Sequence, residues 1–184
     1  MIFTNGSVHG SYLIDLETHG DERGFFARTY CENEFAQCGL VTRMVQTNMS
    51  YSADAGTLRG LHYQKSPHEE AKLMRCTSGA IYDVMIDVRP NSPTFMQWMG
   101  VELTAESRRM VYIPEGCAHG FLTLTDHTEV SYQVSAFYTP GVELGIRFDD
   151  PAFSINWPVE VRAVSDKDRS WPDFDPSMQP AVVS

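Results

Sequence analysis

The sequence predicts an all-β protein built as a sandwich or a barrel. Helical periodicity is nearly absent from its 184 residues, and only residues 33–39 read as a short helix, which ends in a glycine. The clearest strand covers residues 80–88, where apolar side chains alternate with Asp83 and Asp87 before a Pro-Asn-Ser-Pro turn. Similar short segments recur between turn residues along most of the chain, a spacing typical of sandwiches and barrels.

The predicted strands follow one another in a regular order. They cover residues 12–16, 43–48, 58–64, 72–77, 80–88, 96–103, 109–113, 120–124 and 129–134, with the short helix between the first two. From residue 158 onward the chain is rich in Pro and Asp, and we expect it to be irregular. Because the sequence contains no repeat, low-complexity tract or linker, we expect one domain over residues 1–184.

Composition and charge narrow the class of protein. A hydrophobic content of 42% is typical of a globular chain, while the net charge of −10 and the lack of a Lys/Arg-rich stretch argue against nucleic acid as a partner. The start of the sequence lacks a signal-peptide pattern and no apolar run could span a bilayer, so we expect a cytoplasmic protein that does not bind membranes. The four cysteines form no C-x-x-C pair, and we expect reduced, partly buried thiols.

The densest polar segment is residues 57–64, where Arg59, Gly60 and His62 stand close together and are followed by Lys72. A lone histidine in a strand is more often structural than catalytic, and a nearby cation is more often a solvated surface charge. The period of two also puts His62 and Arg59 on opposite faces of a strand. If the two side chains act together, the strand must bend at Gly60 or Arg59 must reach round an edge.

Two further segments carry polar side chains. Gln46, Asn48 and Ser50 project to one side of a strand, which suits a base, a sugar or a phosphate, although a solvent-exposed face would look the same. Residues 113–121 place a Pro-Glu-Gly turn before His119, and the pattern Pro-x-Gly-x-x-His-x-Phe is familiar from cupin-type barrels. A metal-binding cupin needs a His-x-His pair and an acidic residue, whereas residues 61–64 offer only His62, so we expect no metal site.

Several ordered motifs together resemble the dTDP-4-dehydrorhamnose 3,5-epimerase family over nearly the whole chain. The matching segments are residues 21–26, 46–50, 58–64 (Leu-Arg-Gly-Leu-His-Tyr-Gln), 71–73, 83–89, 113–116, 118–121 and 165–168 (Ser-Asp-Lys-Asp). The resemblance implies a cupin-like jelly-roll β-barrel with a few short helices. It also implies a homodimer that needs no metal or organic cofactor.

The chemistry implied by the resemblance is epimerisation beside the 4-keto group of a nucleotide-diphosphate sugar. It needs a base, an acid and stabilisation of the enolate. The resemblance assigns the base to His62, the carboxylate that orients it to Asp168, the acid on the opposite face to Tyr132, and the cation near the C4 oxygen to Lys72. A histidine pKa of about 6.5 suits a base near pH 7, and a tyrosine pKa of about 10 keeps the acid protonated until it donates.

The resemblance also implies a set of substrate-binding residues that hold the diphosphate, the sugar and the nucleotide. They are Arg23, Gln46, Asn48, Arg59, His119, Tyr138, Glu143 and Lys167, with Tyr138 stacking on the base. Guanidinium groups suit phosphate because they donate paired hydrogen bonds. Three positions depart from the family: Arg28 stands where Glu is frequent, Gln133 where Lys is common, and Cys117 in place of a common Phe, which we interpret as a packing variation.

The sequence alone leaves more than one function possible. The leading hypothesis is epimerisation at C3 and C5 of a dTDP-4-dehydro-6-deoxy-hexose in dTDP-L-rhamnose biosynthesis. A single-centre epimerase, or a relative acting on another nucleotide-diphosphate 4-keto sugar, would share the same motifs. The missing His-x-His argues against a metal-dependent cupin, and the presence of both His62 and Tyr132 argues against a non-catalytic sugar-nucleotide binder.

Overall fold

The computed structural model describes residues 1–178 and consists mainly of short antiparallel strands. The elements are β1 Ile2–Asn5, β2 Tyr12–Asp15, β3 Thr18–Asp21, β4 Gly24–Ala27, α1 Glu32–Gln37, β5 Gln46–Ser52, β6 Leu58–Gln64, β7 Lys72–Ser78, β8 Ala80–Asp87, β9 Trp98–Thr104, β10 Met110–Ile113, β11 Cys117–Thr123, β12 Thr128–Val134, β13 Glu143–Gly145, α2 Asp166–Arg169 and a 3-10 turn, Pro176–Met178. The predicted all-β class is therefore confirmed.

Two sheets face each other in a cupin-like jelly roll. One has the strand order β1-β2-β10-β7-β12-β5 and the other β13-β6-β11-β8-β9, while β3 and β4 form a separate hairpin. Alternate side chains of both sheets point into the space between them, where Met74 and Val130 from the first sheet meet Met85 and Phe121 from the second. The space between the sheets is filled by an apolar core at one end. At the other end it contains a cavity lined mainly by polar side chains.

Short segments cover the outer faces of both sheets. Helix α1 buries Phe35 completely against Ile14 and Tyr112, a burial that stabilises the fold by roughly 2–3 kcal/mol. The chain after β13 packs Ile146 and Phe153 against the outer face of the second sheet. This packing brings the C-terminal segment back to β6 and positions α2 beside it.

Each predicted strand is present, with shifted ends at several of them. The strand predicted from residue 43 begins at Gln46, the one predicted from 96 begins at Trp98, and the one predicted from 120 begins at Cys117, directly after the Pro-Glu-Gly turn. The segment after residue 158 was expected to be irregular, but it contains α2. The prediction of one domain over residues 1–184 stays a prediction, and residues 179–184 lie outside the described part of the chain.

Strands β1, β3, β4 and β13 were not predicted. Each is three or four residues long, and in β3 every position is exposed, so no alternation of apolar and polar side chains marks it. Across residues 1–178, no helix is both long and apolar enough to cross a membrane.

Candidate functional site

A β-bulge in β6 brings Arg59 and His62 to the same face. In the ladder between β6 and β11, His62 pairs with His119 and Arg59 pairs with Phe121, so β6 has one residue more than its partner between these pairs. Gly60 within the bulge has φ of 117°, and a Cβ there would lie 2.6 Å from the Cα of Gly120. Of the two arrangements that the sequence left open, the structure has the bend at Gly60, and only glycine fits it.

Two carboxylates flank the imidazole of His62. Its Nε2 lies 2.5 Å from Oδ1 of Asp168, and its Nδ1 lies 3.4 Å from Oε1 of Glu143. When Asp168 accepts the Nε2 hydrogen, Nδ1 is left as the proton-accepting nitrogen, on the side of Glu143, and both residues line the same cavity. The imidazole is therefore held in a fixed orientation at the cavity wall, with one nitrogen able to accept a proton.

Asp168 is positioned by the N-terminus of α2. The hydroxyl of Ser165 caps this helix by accepting the Asp168 N–H at 3.1 Å, and the Gly60 N–H lies 3.4 Å from Asp168 Oδ2. Burial by itself would raise the pKa of Asp168, but hydrogen bonds from His62, Ser165 and Gly60 outweigh it, and the pKa is lowered. Asp168 therefore stays ionised and can hold the imidazole in one tautomer.

Two cavities meet at His62, and together they contain most of the residues that the sequence singled out. The first, of about 280 Å³, is lined by Gln46, Asn48, His62, Tyr63, Gln64, Glu70, Lys72, Tyr132, Val134, Tyr138 and Glu143. The second, of about 400 Å³, is lined by Thr57, Leu58, Arg59, His62, Ala163, Val164, Ser165, Lys167 and Asp168. All the sequence-predicted site residues except Arg23 and His119 therefore line one of two adjoining spaces.

A lysine and a tyrosine from neighbouring strands stand in the first cavity. Lys72 Nζ lies 3.1 Å from Oε1 of Glu70, and both side chains are largely buried. Burial raises the pKa of Tyr132, the charge of Glu70 raises it further, and Arg59 opposes them. The Tyr132 hydroxyl is thus kept in its protonated, donating form.

The rim of the cavities is formed by side chains suited to a nucleotide diphosphate. Gln46 Oε1 accepts the backbone N–H of Tyr138 at 3.1 Å, which presents the exposed Tyr138 ring at the entrance. Arg59 donates to Ser52 Oγ at 3.1 Å and to the carbonyl oxygen of Tyr51 at 2.9 Å. These bonds to neutral groups hold the guanidinium in place without neutralising its charge.

Two predicted binding residues do not line the cavities of this single chain. Arg23 follows β3 at the tip of the β3–β4 hairpin, where its side chain is 83% exposed and forms an ion pair with Asp21 at 2.5 Å. His119 is buried, and its Nε2 lies 2.9 Å from Oδ2 of Asp83. A substrate-binding role for either residue stays a prediction.

The three departures from the family pattern lie away from the cavities. Arg28 forms an ion pair with Glu34 at 2.9 Å on the surface. Gln133 points to the opposite side of β12 from Tyr132 and lines a separate small hollow. Cys117 packs in the core between the sheets, where burial raises the pKa of its thiol to about 12, so its interpretation as a packing residue is confirmed.

The sequence analysis missed two residues that support the site. Glu70 forms the ion pair with Lys72, and its position two residues earlier in a strand-like segment could have indicated this. Ser165 precedes Asp168 by three residues, a spacing that matches a helix-capping signature and could have predicted α2. Within residues 1–178, no group of three or more His, Cys, Asp or Glu side chains is arranged to hold a metal ion.

Comparison with known proteins gives a consistent result over most of the chain. A family model described as dTDP-4-dehydrorhamnose 3,5-epimerase matches residues 5–176. The chain is 44% identical over 172 residues to the dTDP-4-dehydrorhamnose 3,5-epimerase of Methanothermobacter thermautotrophicus, which covers 92% of each protein.

Two solved structures are similar as well. The dTDP-4-dehydrorhamnose 3,5-epimerase of Bacillus anthracis, with TDP and PPi bound, has a TM-score of 0.89 and 42% identity, covering 94% of this chain and 99% of that one. The dTDP-6-deoxy-D-glucose-3,5-epimerase of Legionella pneumophila, in complex with dTDP-4-keto-L-rhamnose, has a TM-score of 0.89 and 34% identity, covering 100% of this chain and 99% of that one.

Proposed function

The chain belongs to the dTDP-4-dehydrorhamnose 3,5-epimerase family, and we propose that it inverts C3 and C5 of dTDP-4-dehydro-6-deoxy-glucose on the way to dTDP-L-rhamnose. One observation carries the proposal. The imidazole of His62, held by Asp168 at 2.5 Å, lines the same cavity as the Lys72 ammonium and the Tyr132 hydroxyl. A base, a cation and an acid around one space are the groups that this chemistry needs.

The reaction begins with a proton transfer to His62. The C–H bonds beside the C4 ketone are acidic because the carbanion delocalises onto the C4 oxygen as an enolate. Nδ1 of His62 removes the proton, and Lys72, fixed in a largely buried position, stabilises the charge on the C4 oxygen by a few kcal/mol. Tyr132 then donates a proton to the opposite face of the carbon, which inverts it. These groups are side chains of the protein itself, and no cofactor takes part.

The nucleotide diphosphate occupies the rim and the second cavity. Arg59 and Lys167 line that cavity and supply the positive charge that a diphosphate needs in a protein of net charge −10. Gln46 and Asn48 supply hydrogen bonds to the sugar, and Tyr138 stacks on the base. The enzyme therefore binds an anion through a few focused cations.

We also propose that the protein is a cytoplasmic homodimer. Phe26 on the β3–β4 hairpin is 70% exposed and Met49 on the edge strand β5 is 67% exposed, and apolar surface of this kind favours burial against a second copy. Such a dimer would also explain Arg23, which lies outside the cavities of its own chain but could reach those of the partner. Light scattering in solution tests the oligomeric state.

Deuterium labelling tests the reaction. The protein is incubated with dTDP-4-dehydro-6-deoxy-glucose in deuterated buffer, and incorporation at C3 and C5 is followed by NMR or mass spectrometry. Label at both carbons, with a product that a 4-ketorhamnose reductase accepts, supports the proposal. Label at one carbon would identify a single-centre epimerase. No label would indicate another nucleotide sugar or a non-catalytic binder.

A further inference from the structure

Each inversion leaves the two catalytic groups in the wrong protonation states for the next one. When His62 removes a proton from one face and Tyr132 donates one to the other, the enzyme holds an imidazolium and a phenolate. Double epimerisation, on which this inference rests, repeats the step on the same sugar. The proton on His62 must therefore leave, and Tyr132 must gain one, while the sugar still occupies the cavity.

The two carboxylates beside His62 differ in their access to water. The Asp168 side chain is 6% exposed, and hydrogen bonds from Gly60 and Ser165 lower its pKa, so it is a poor proton acceptor with no route to solvent. The Glu143 side chain is 20% exposed, and its Oε1 lies 3.4 Å from Nδ1, the nitrogen that removes the proton. The imidazole itself is 28% exposed, but a sugar placed over Nδ1 for proton abstraction covers that side of the ring. Of the two carboxylates beside His62, Glu143 is then the one that both contacts Nδ1 and reaches solvent.

Lys167 fixes the position of the Glu143 carboxylate, with the oxygen Oε1 towards Nδ1 of His62. Its ammonium forms an ion pair with the second carboxylate oxygen of Glu143, and the Lys167 side chain is 54% exposed. The hydrogen bond to Glu143 raises the pKa of Lys167, which therefore stays charged and holds the ion pair in place. Two further titratable groups, Asp168 and Tyr138, act on the charge of Lys167, and Asp168 lies on the other side of the imidazole, 2.5 Å from its Nε2.

We infer that Glu143 carries the proton from His62 to solvent and so resets the base between the two epimerisations. In this step the Nδ1–H bond breaks and an O–H bond forms on Glu143, which leaves a neutral imidazole. Glu143 then passes the proton to water at the cavity mouth and becomes a carboxylate again. The Tyr132 phenolate takes a proton from water, and because burial and Glu70 raise the pKa of Tyr132, this return is favourable.

Glu143→Gln tests the relay, because the amide keeps the shape of the side chain but cannot carry the proton. In single turnovers in deuterated buffer, the rates of label entry at the first and second carbon are compared. We expect the ratio of the second rate to the first to fall roughly 10- to 100-fold below that of the wild type. Added imidazole, at constant pH and ionic strength, is expected to restore the ratio, because a small base can take the proton in place of Glu143.

Asp168→Asn is the matched control, since it also removes one carboxylate from His62. This variant is expected to slow deuterium incorporation at both carbons equally, so that the ratio of the two rates stays that of the wild type. Added imidazole is expected to leave that ratio unchanged. A Glu143→Gln enzyme with an unchanged ratio, or with a lowered ratio that imidazole does not restore, overturns the relay. A wild-type enzyme that labels neither carbon overturns the proposed function and the relay with it. Circular dichroism confirms that both variants are folded.

Discussion

Replacing Gly60 with alanine is expected to distort the catalytic site through the backbone alone. The new Cβ would lie 2.6 Å from Gly120 Cα and 2.7 Å from the carbonyl oxygen of His119, and neither backbone atom can move freely within the ladder. The φ of 117° adds strain of about 1–3 kcal/mol for any residue with a Cβ. Overpacking against fixed atoms adds about 1–3 kcal/mol more, so we expect a loss of roughly 2–6 kcal/mol in the free energy of unfolding.

Gly24→Ala is the matched control for this experiment. Gly24 has a similar φ of 128°, but its Cβ would meet nothing within 4 Å, so only the strain of about 1–3 kcal/mol should remain. Urea denaturation of both variants measures the difference. Because Gly60 also holds Asp168 beside His62, we expect the Gly60→Ala enzyme to lose about 100-fold in kcat. The reasoning would be refuted if the two variants had the same free energy of unfolding and the Gly60→Ala enzyme kept full activity.

The remaining predictions concern the side chains proposed to be catalytic. His62→Ala should abolish deuterium exchange at both carbons, whereas Tyr132→Phe should still exchange substrate hydrogen yet fail to invert, and NMR of the labelled sugar separates the two. Lys72→Met should lower kcat by roughly 100- to 1,000-fold with a smaller change in KM, because its charge acts on the enolate, and steady-state kinetics would contradict this if KM alone rose. The lowered pKa of Asp168 stabilises the fold above the unfolded value of about 3.9, and this contribution is lost as pH falls through the folded pKa. Melting temperatures of wild type and Asp168→Asn should therefore converge in acid.

The predictable part of the fold is the part whose strands alternate two kinds of side chain. β8 buries both of its faces in two different cores, but Asp83 and Asp87 stand on one face opposite an apolar row, so the alternation that marks a strand was visible in the sequence. The hairpin of β3 and β4 has no such signal, since its residues are almost all exposed. Segments stabilised by a turn and by backbone hydrogen bonds leave little trace in hydrophobic patterning.

Some features of the site could be predicted from neighbouring residues in the sequence, whereas others depend on contacts between residues far apart in it. The rule of alternating faces correctly showed that Arg59 and His62 could not share a face in a regular strand, and a bend at Gly60, one of the two solutions that the sequence offered, is the one present. Asp168 stands 106 residues after His62, and no local pattern could place it there. The resemblance named the residue, but the contact depends on the packing of the whole C-terminal segment against β6.

In the part of the chain that the structure describes, two of the three Lys and Arg side chains that line the cavities are paired with carboxylates. Lys72 is paired with Glu70, and Lys167 with Glu143, so an incoming anion must compete with a carboxylate for either cation. Arg59 differs, because across residues 1–178 it forms no ion pair, and its bonds to Ser52 and the Tyr51 carbonyl leave its charge uncompensated. In a protein of net charge −10, an uncompensated guanidinium at the cavity is the feature that best suits Arg59 to the proposed role of binding a diphosphate. In the proposed mechanism, the diphosphate binds at Arg59 without displacing Glu70, and Lys72 stays aligned for the charge that appears on the sugar only during the reaction.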